Sequence, residues 1–207
     1  MADDRSDEQL MMDVRAGDID AFGVLVERHH QRALNVAYRL SGDADTSQDV
    51  AQESFLRILR HARRYKPRAQ FTTFLYTVVR NVVLEMARRK HRRVEVPLST
   101  AADSATAVEL SHEPSAIASV TTGISARAEP PDVLLERREM QQRLRTALME
   151  LPDELRDAFV LSEIEGLRYR EIADICGCPE GTVASRKHKA VEQLRQLLSL
   201  PNPPENE

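Results

Sequence analysis

Large apolar residues recur three and four positions apart through most of the N-terminal half of the chain. Phe22, Leu25, Val26, His29, Ala33, Val36, Ala37 and Leu40 form one such series and predict an amphipathic helix ending near Ser41-Gly42-Asp43. Val50, Ala51, Phe55, Ile58, Leu59 and Ala62 predict a second, from about Thr46 to Tyr65, broken by Lys66-Pro67-Arg68. Phe74, Leu75, Val78, Val79, Val82, Val83, Met86 and Ala87 predict a third, from Phe71 towards Arg92. Its valines are modest helix formers. The spacing, with Arg80 and Glu85 facing away, outweighs a strand reading. A short, weaker helix near Asp7–Ala16 precedes the three.

Between Val96 and Asp132 the pattern lapses. Ser, Thr, Ala and Pro dominate, as in Ser99-Thr100-Ala101-Ala102 and Glu129-Pro130-Pro131, and a mobile linker is expected. Periodicity resumes at about Val133–Glu150, with Leu134, Met140, Leu144, Ala147 and Leu148 placed inward, and stops at Leu151-Pro152. Pro152 or Asp153 opens the next helix, which Leu155, Phe159 and Leu161 carry to Glu165-Gly166. Tyr169–Cys176, a turn over Gly177-Cys178-Pro179-Glu180-Gly181, and Thr182–Leu198 close the chain, with Thr182 as the expected N-cap. The expected fold is all-α: two small helical domains, residues 21–95 and 133–200, joined by a flexible linker, residues 96–132. An acidic segment, 1–20, precedes them and a tail, 201–207, follows.

Composition sharpens this picture. With 42% hydrophobic residues, 4% aromatics and no Trp among 207 residues, Leu, Val and Ala must fill the cores. No apolar run can span a membrane, and the start, Met1-Ala2-Asp3-Asp4-Arg5, lacks the features of a signal peptide; a cytoplasmic protein is expected. Cys176 and Cys178 are too close for an unstrained disulfide, and neither they nor the adjacent His29 and His30 complete a metal site, so neither metal nor cofactor is expected. No phosphate loop or nucleophile elbow points to an enzyme.

The net charge of −4 hides a segregation. Acids dominate the start: Asp3, Asp4, Asp7, Glu8, Asp13, Asp18 and Asp20. From Arg57 to Arg93 the basic residues face only one acid, Glu85. A polyanion is the partner such a stretch suits. The last two helices and their glycine-bearing turn form a helix-turn-helix, whose second helix would lie in a DNA major groove. Ala184, Ser185, Arg186, His188 and Lys189 place small or donor-bearing side chains near its start, where base edges and phosphates are met. Asp49, Gln52 and Glu53, at i, i+3 and i+4, share one polar helix face suited to arginines of a partner.

These stretches resemble a known family. Gly166-Leu167-Arg168-Tyr169-Arg170-Glu171-Ile172-Ala173, followed by Gly177-Cys178-Pro179-Glu180-Gly181-Thr182-Val183-Ala184-Ser185-Arg186, is similar to region 4 of the extracytoplasmic-function (ECF) sigma factors, group IV of the bacterial primary-sigma superfamily. Leu148-Met149-Glu150-Leu151-Pro152 and Ala158-Phe159-Val160-Leu161 resemble the helices before it. Asp49-Val50-Ala51-Gln52-Glu53-Ser54-Phe55-Leu56-Arg57 resembles region 2.2, and Phe71-Thr72-Thr73-Phe74-Leu75-Tyr76 with Arg80-Asn81 resembles the helix that melts and reads the −10 element.

The resemblance implies a non-enzymatic subunit that directs promoter-specific transcription initiation. Its partners would be core RNA polymerase, through the β′ clamp, promoter DNA and an anti-sigma factor. Asp49, Gln52 and Glu53 would bind the clamp. Arg63, Lys66, Arg68, Arg80, Arg88, Arg89 and Arg92 would track the −10 strand, with Asn81 near its bases and the loop Lys66–Gln70 forming the base pocket. Arg168, Tyr169, Arg170, Thr182, Ala184, Ser185, Arg186, His188 and Lys189 would meet the −35 duplex. Phe74 is expected in the core, and Tyr76 is open to either role. Lys187 stands where the family usually has Leu or Ile: it either snorkels out of the core or is presented to DNA. Arg168 stands where the family has a capping Ser. Rival readings are a dimeric helix-turn-helix regulator acting without polymerase, which leaves the Asp49 face unexplained, and a sigma-like protein–protein adaptor.

Overall fold

The computed structural model describes residues 3–67, 69–95 and 131–199. Arg68, nearly all of the expected linker and the tail lie outside them. The described residues are helical and contain no strand.

The N-terminal helices begin where the sequence supplies an acceptor. Helix α1 (Asp7–Ala16) is capped by Ser6, whose hydroxyl accepts from Gln9 N–H while Gln9 returns a bond to Ser6 N–H. Asp18 caps α2 (Ile19–Ser41), and Asp43 caps α3 (Ala44–His61) by accepting from Thr46 N–H at 2.7 Å. The stretch expected to be helical up to Tyr65 tightens into a 3-10 turn over Ala62–Arg64. Helix α4 (Phe71–Glu95) begins after the proline break, and Glu8 of α1 accepts from the Phe71 N–H at 2.9 Å. The acidic start is therefore part of the domain: Leu10, Met11 and Val14 are buried against α2 and α4. Leu25, Val36, Leu40, Val50, Ile58, Phe71, Leu75, Val79 and Val82 complete this core. Phe74 packs on it, as expected.

In the C-terminal domain, α5 (Pro131–Glu150) starts two residues before the expected boundary. Met140, expected inward, is 59% exposed; Leu144, Ala147 and Leu148 do reach the core. Helix α6 (Asp153–Phe159) runs into a π turn over Val160–Ile164, closed by Glu165 N–H donating to the Val160 carbonyl at 3.0 Å. Helix α7 (Tyr169–Cys176) and α8 (Glu180–Ser199) follow. Thr182 is not the cap of α8: the helix starts at Glu180, and Thr182 N–H already donates to the Pro179 carbonyl at 2.9 Å. Ile172, Ile175, Val183, Ala190 and Leu194 close this core.

The two domains lie against each other, α7 on α4 and α5 and α6 on α2. Gly42 ends α2 at φ 72°, a left-handed conformation that favours glycine, and Met149 of α5 rests where a β-carbon would stand.

Candidate polymerase and nucleic-acid surfaces

Burial of Val50, Ala51, Ser54, Phe55 and Ile58 rotates the opposite side of α3 to solvent. Asp49 and Gln52 are exposed there. Glu53 is turned aside: its Oε1 accepts from Arg57 Nε at 2.7 Å, a bond that holds its carboxyl below the usual range. Arg57 also meets Glu85 of α4 at 2.7 Å. The exposed face contains Leu56 instead, at 40% exposure. Sequence reasoning missed it, although Leu56 stands seven residues after Asp49 and four after Gln52, on the polar side of the helix.

Among the expected −10 residues, Arg63, Lys66, Asn81, Arg88, Arg89 and Arg92 are exposed. Arg89 pairs with Glu85 at 2.5 Å. Arg80 does not join them in this arrangement. Its side chain is 14% exposed, and its Nε meets the Asp157 carboxylate of α6 at 2.5 Å. Burial raises the Asp157 carboxyl above its ordinary value, and the Arg80 charge offsets part of that rise. Tyr76, left open by the sequence, is buried, and its hydroxyl donates to Glu165 Oε2 at 2.6 Å; burial and that carboxylate together raise the phenol. Arg39 of α2 donates to Glu165 Oε1 at 2.6 Å, leaving the Glu165 side chain 5% exposed.

Two further arginines tie the domains. Arg145 donates to the Gly42 carbonyl at 2.6 Å and lies over the Tyr38 ring. Arg156 donates to the carbonyls of Leu148, Met149 and Leu151 and to Leu40 at the end of α2, satisfying carbonyls that helix ends leave unpaired. The α2 partners, Gly42 of Arg145 and Leu40 of Arg156, lie 103 and 116 residues away, so periodicity gave no signal for them.

In the helix-turn-helix, Arg168, Tyr169 and Arg170 are exposed at the start of α7. Arg168 carries no side-chain acceptor, but its N–H donates to Glu171 at 2.8 Å, which keeps half of a capping box. On α8, Ser185, His188 and Lys189 are exposed, and Thr182 and Ala184 partly so. Arg186 is directed inward: it pairs with Glu154 of α6 and donates to Cys178 Sγ at 3.5 Å. Lys187 meets Glu163 of the π turn at 2.5 Å and lies over the Tyr169 ring, 5.7 Å from its centroid. Cys176 is buried enough to push its thiol up to about 11. No group of three potential metal ligands occurs among the described residues.

Residues 25–93 match the Sigma-70 region 2 family and residues 141–194 match Sigma-70, region 4. Two helical regions of this kind, in this order, define a transcription initiation factor of the sigma-70 type. The chain is 31% identical over 198 residues to the RNA polymerase sigma-H factor of Pseudomonas aeruginosa, covering 96% of each. It is 31% identical to the ECF RNA polymerase sigma-E factor of Escherichia coli, covering 94% of this chain and 95% of that one. The chain belongs to the ECF RNA polymerase sigma factors. Its fold is shared with CnrH, solved in complex with the cytosolic domain of CnrY (TM-score 0.64, 20% identity, 94% of this chain and 97% of that one). It is likewise shared with the sigma factor RpoE of Bartonella quintana, solved with the anti-sigma factor NepR (TM-score 0.61, 22% identity, 87% and 98%). No helix among the described residues is long and apolar enough to cross a membrane.

Proposed function

We propose that this sigma factor, acting in the cytoplasm without catalysis of its own, attaches to the β′ clamp of core RNA polymerase through Asp49, Gln52 and Glu53, with Leu56 as the apolar centre of that face. The division of labour follows the domains expected from sequence. Residues 21–95 capture the −10 strand through Arg63, Lys66, Arg68, Arg80, Asn81, Arg88, Arg89 and Arg92. Residues 133–200 read the −35 duplex through the start of α7 and the outer side of α8. The observation that carries the reading is the Asp49–Gln52–Leu56 face, which stands open although both domains are otherwise packed together. Arg80 and Tyr76 are engaged with Asp157 and Glu165, so strand capture requires the domains to part. The closed arrangement is the form an anti-sigma factor would hold; one protein of the same fold was solved with an anti-sigma factor bound.

Changing Asp49, Gln52 and Glu53 together to Ala should abolish binding to core polymerase, measured by co-purification, while helical content by circular dichroism stays unchanged. Unaltered affinity in that variant would overturn the assignment.

A further inference from the structure

We infer that Lys187 is a positioning residue for −35 recognition, holding Tyr169 and the recognition helix from within and making no phosphate contact of its own. The inference rests on the reading that α8 meets the −35 duplex. Four successive basic residues, Arg186 to Lys189, open the middle of α8, and the structure divides them into two pairs. His188 and Lys189 are exposed. Arg186 and Lys187 stand three and four residues after Val183, which is buried, and both are spent on carboxylates of the preceding segment, Glu154 and Glu163.

The position explains the pairing. Lys187 lies on the inward stripe of α8, between Val183 and Ala190, where an apolar residue would pack. Its side chain is 29% exposed, which suits a stem lying along that stripe with the ammonium at its edge. There the π turn has placed Glu163 at 2.5 Å, and the face of Tyr169 lies beside it. A cation over an aromatic face is attracted by the ring quadrupole, and the Glu163 carboxylate fixes the cation there. Tyr169 is thereby held between α7 and α8 with its outer side exposed, at the helix end expected to face DNA. A lysine whose charge is already met by a carboxylate has little left to release a DNA counterion. Because the pair is partly exposed, losing it should leave the fold intact.

The test uses the full chain bound to core polymerase, with a −35 duplex selected from a random-sequence library by the wild-type complex. K187M preserves length and suits the apolar stripe while removing the charge. Its duplex affinity should fall roughly tenfold, the loss typical of a charge-assisted contact, with thermal midpoint and single-strand −10 binding unchanged. The slope of log affinity against log salt should not change. In a Y169A background K187M should add nothing further. A slope shallower by about 0.9, the share of one neutralised phosphate, would show that Lys187 touches DNA and overturn the inference. Unchanged affinity in K187M, or full additivity with Y169A, would overturn it too. Failure of the wild-type complex to select any −35 duplex would instead overturn the assignment of α8.

Discussion

On α3, the side chains that point away from the core, Asp49, Gln52 and Leu56, meet solvent. On α4, the segment carrying Tyr76 and Arg80 lies under the C-terminal domain, with Asp157 and Glu165 set against it. Both helices come from one amphipathic plan, and the closed arrangement treats them differently. On the proposed reading, attachment to polymerase would need no domain to move, and strand capture would need the covering domain to leave. The cover includes ion pairs and bonds to helix-end carbonyls. Taking charges out of water offsets much of what such pairs gain, so the contact can hold specifically without holding tightly.

The largest effect should follow from removing the carboxylates. Asp157→Ala with Glu165→Ala would leave Arg80 and Arg39 buried without partners, a loss of about 3–5 kcal/mol for such a pair. The domains should part, and the free chain should bind a single-stranded −10 oligonucleotide far more tightly in fluorescence anisotropy. Binding no stronger than wild type would remove the distinction between the two faces. Leu56→Ala should act on the other side of the comparison: about 1–2 kcal/mol of polymerase affinity lost, as for an interface anchor, with oligonucleotide binding unchanged. If titration against core polymerase shows no loss, Leu56 is only a bystander on that face.

Much of this was readable from sequence because it depends on local spacing. The core stripes, the helix-turn-helix and the exposed pair Asp49 and Gln52 each follow from residues within a few positions of one another. Met140 was misplaced because its pattern says which side of α5 is apolar, while exposure depends on whether a neighbour arrives. Arg80 and Tyr76 were read by their own helix alone; their partners lie 77 and 89 residues away and no periodicity reports them. Glu53 shares the Asp49 face by spacing, yet Arg57 one turn later draws it sideways. The Thr182 hydroxyl suits a cap position, but α8 begins earlier, at Glu180, and Thr182 N–H already donates to the Pro179 carbonyl.

A smaller change, Tyr76→Phe, deletes one hydroxyl and leaves Arg39 on Glu165. It should weaken closure by about 1 kcal/mol, seen as a modest rise in oligonucleotide binding without loss of polymerase affinity. Smallest is the response to pH. Burial raises the Asp157 carboxyl, so the folded chain holds that proton more tightly than the unfolded one. That contribution to folding stability should be fully present below the ordinary carboxyl value of 3.8 and be lost as pH rises through the raised value. Asp157→Asn should flatten that part of the profile; an identical profile in wild type and variant would assign the effect elsewhere.

The decisive measurement is the distance between the domains in the presence and absence of polymerase. Fluorophores introduced at exposed Glu27 of α2 and Asp174 of α7, through non-natural residues that spare Cys176 and Cys178, report it by energy transfer. High transfer in the free chain should persist when core polymerase is added to a variant lacking Asp49, Gln52 and Glu53, and should collapse when polymerase and promoter DNA are added to wild type. Transfer that is low in the free chain, or that stays high in a transcribing wild-type complex, would contradict a closed form that opens to expose Arg80.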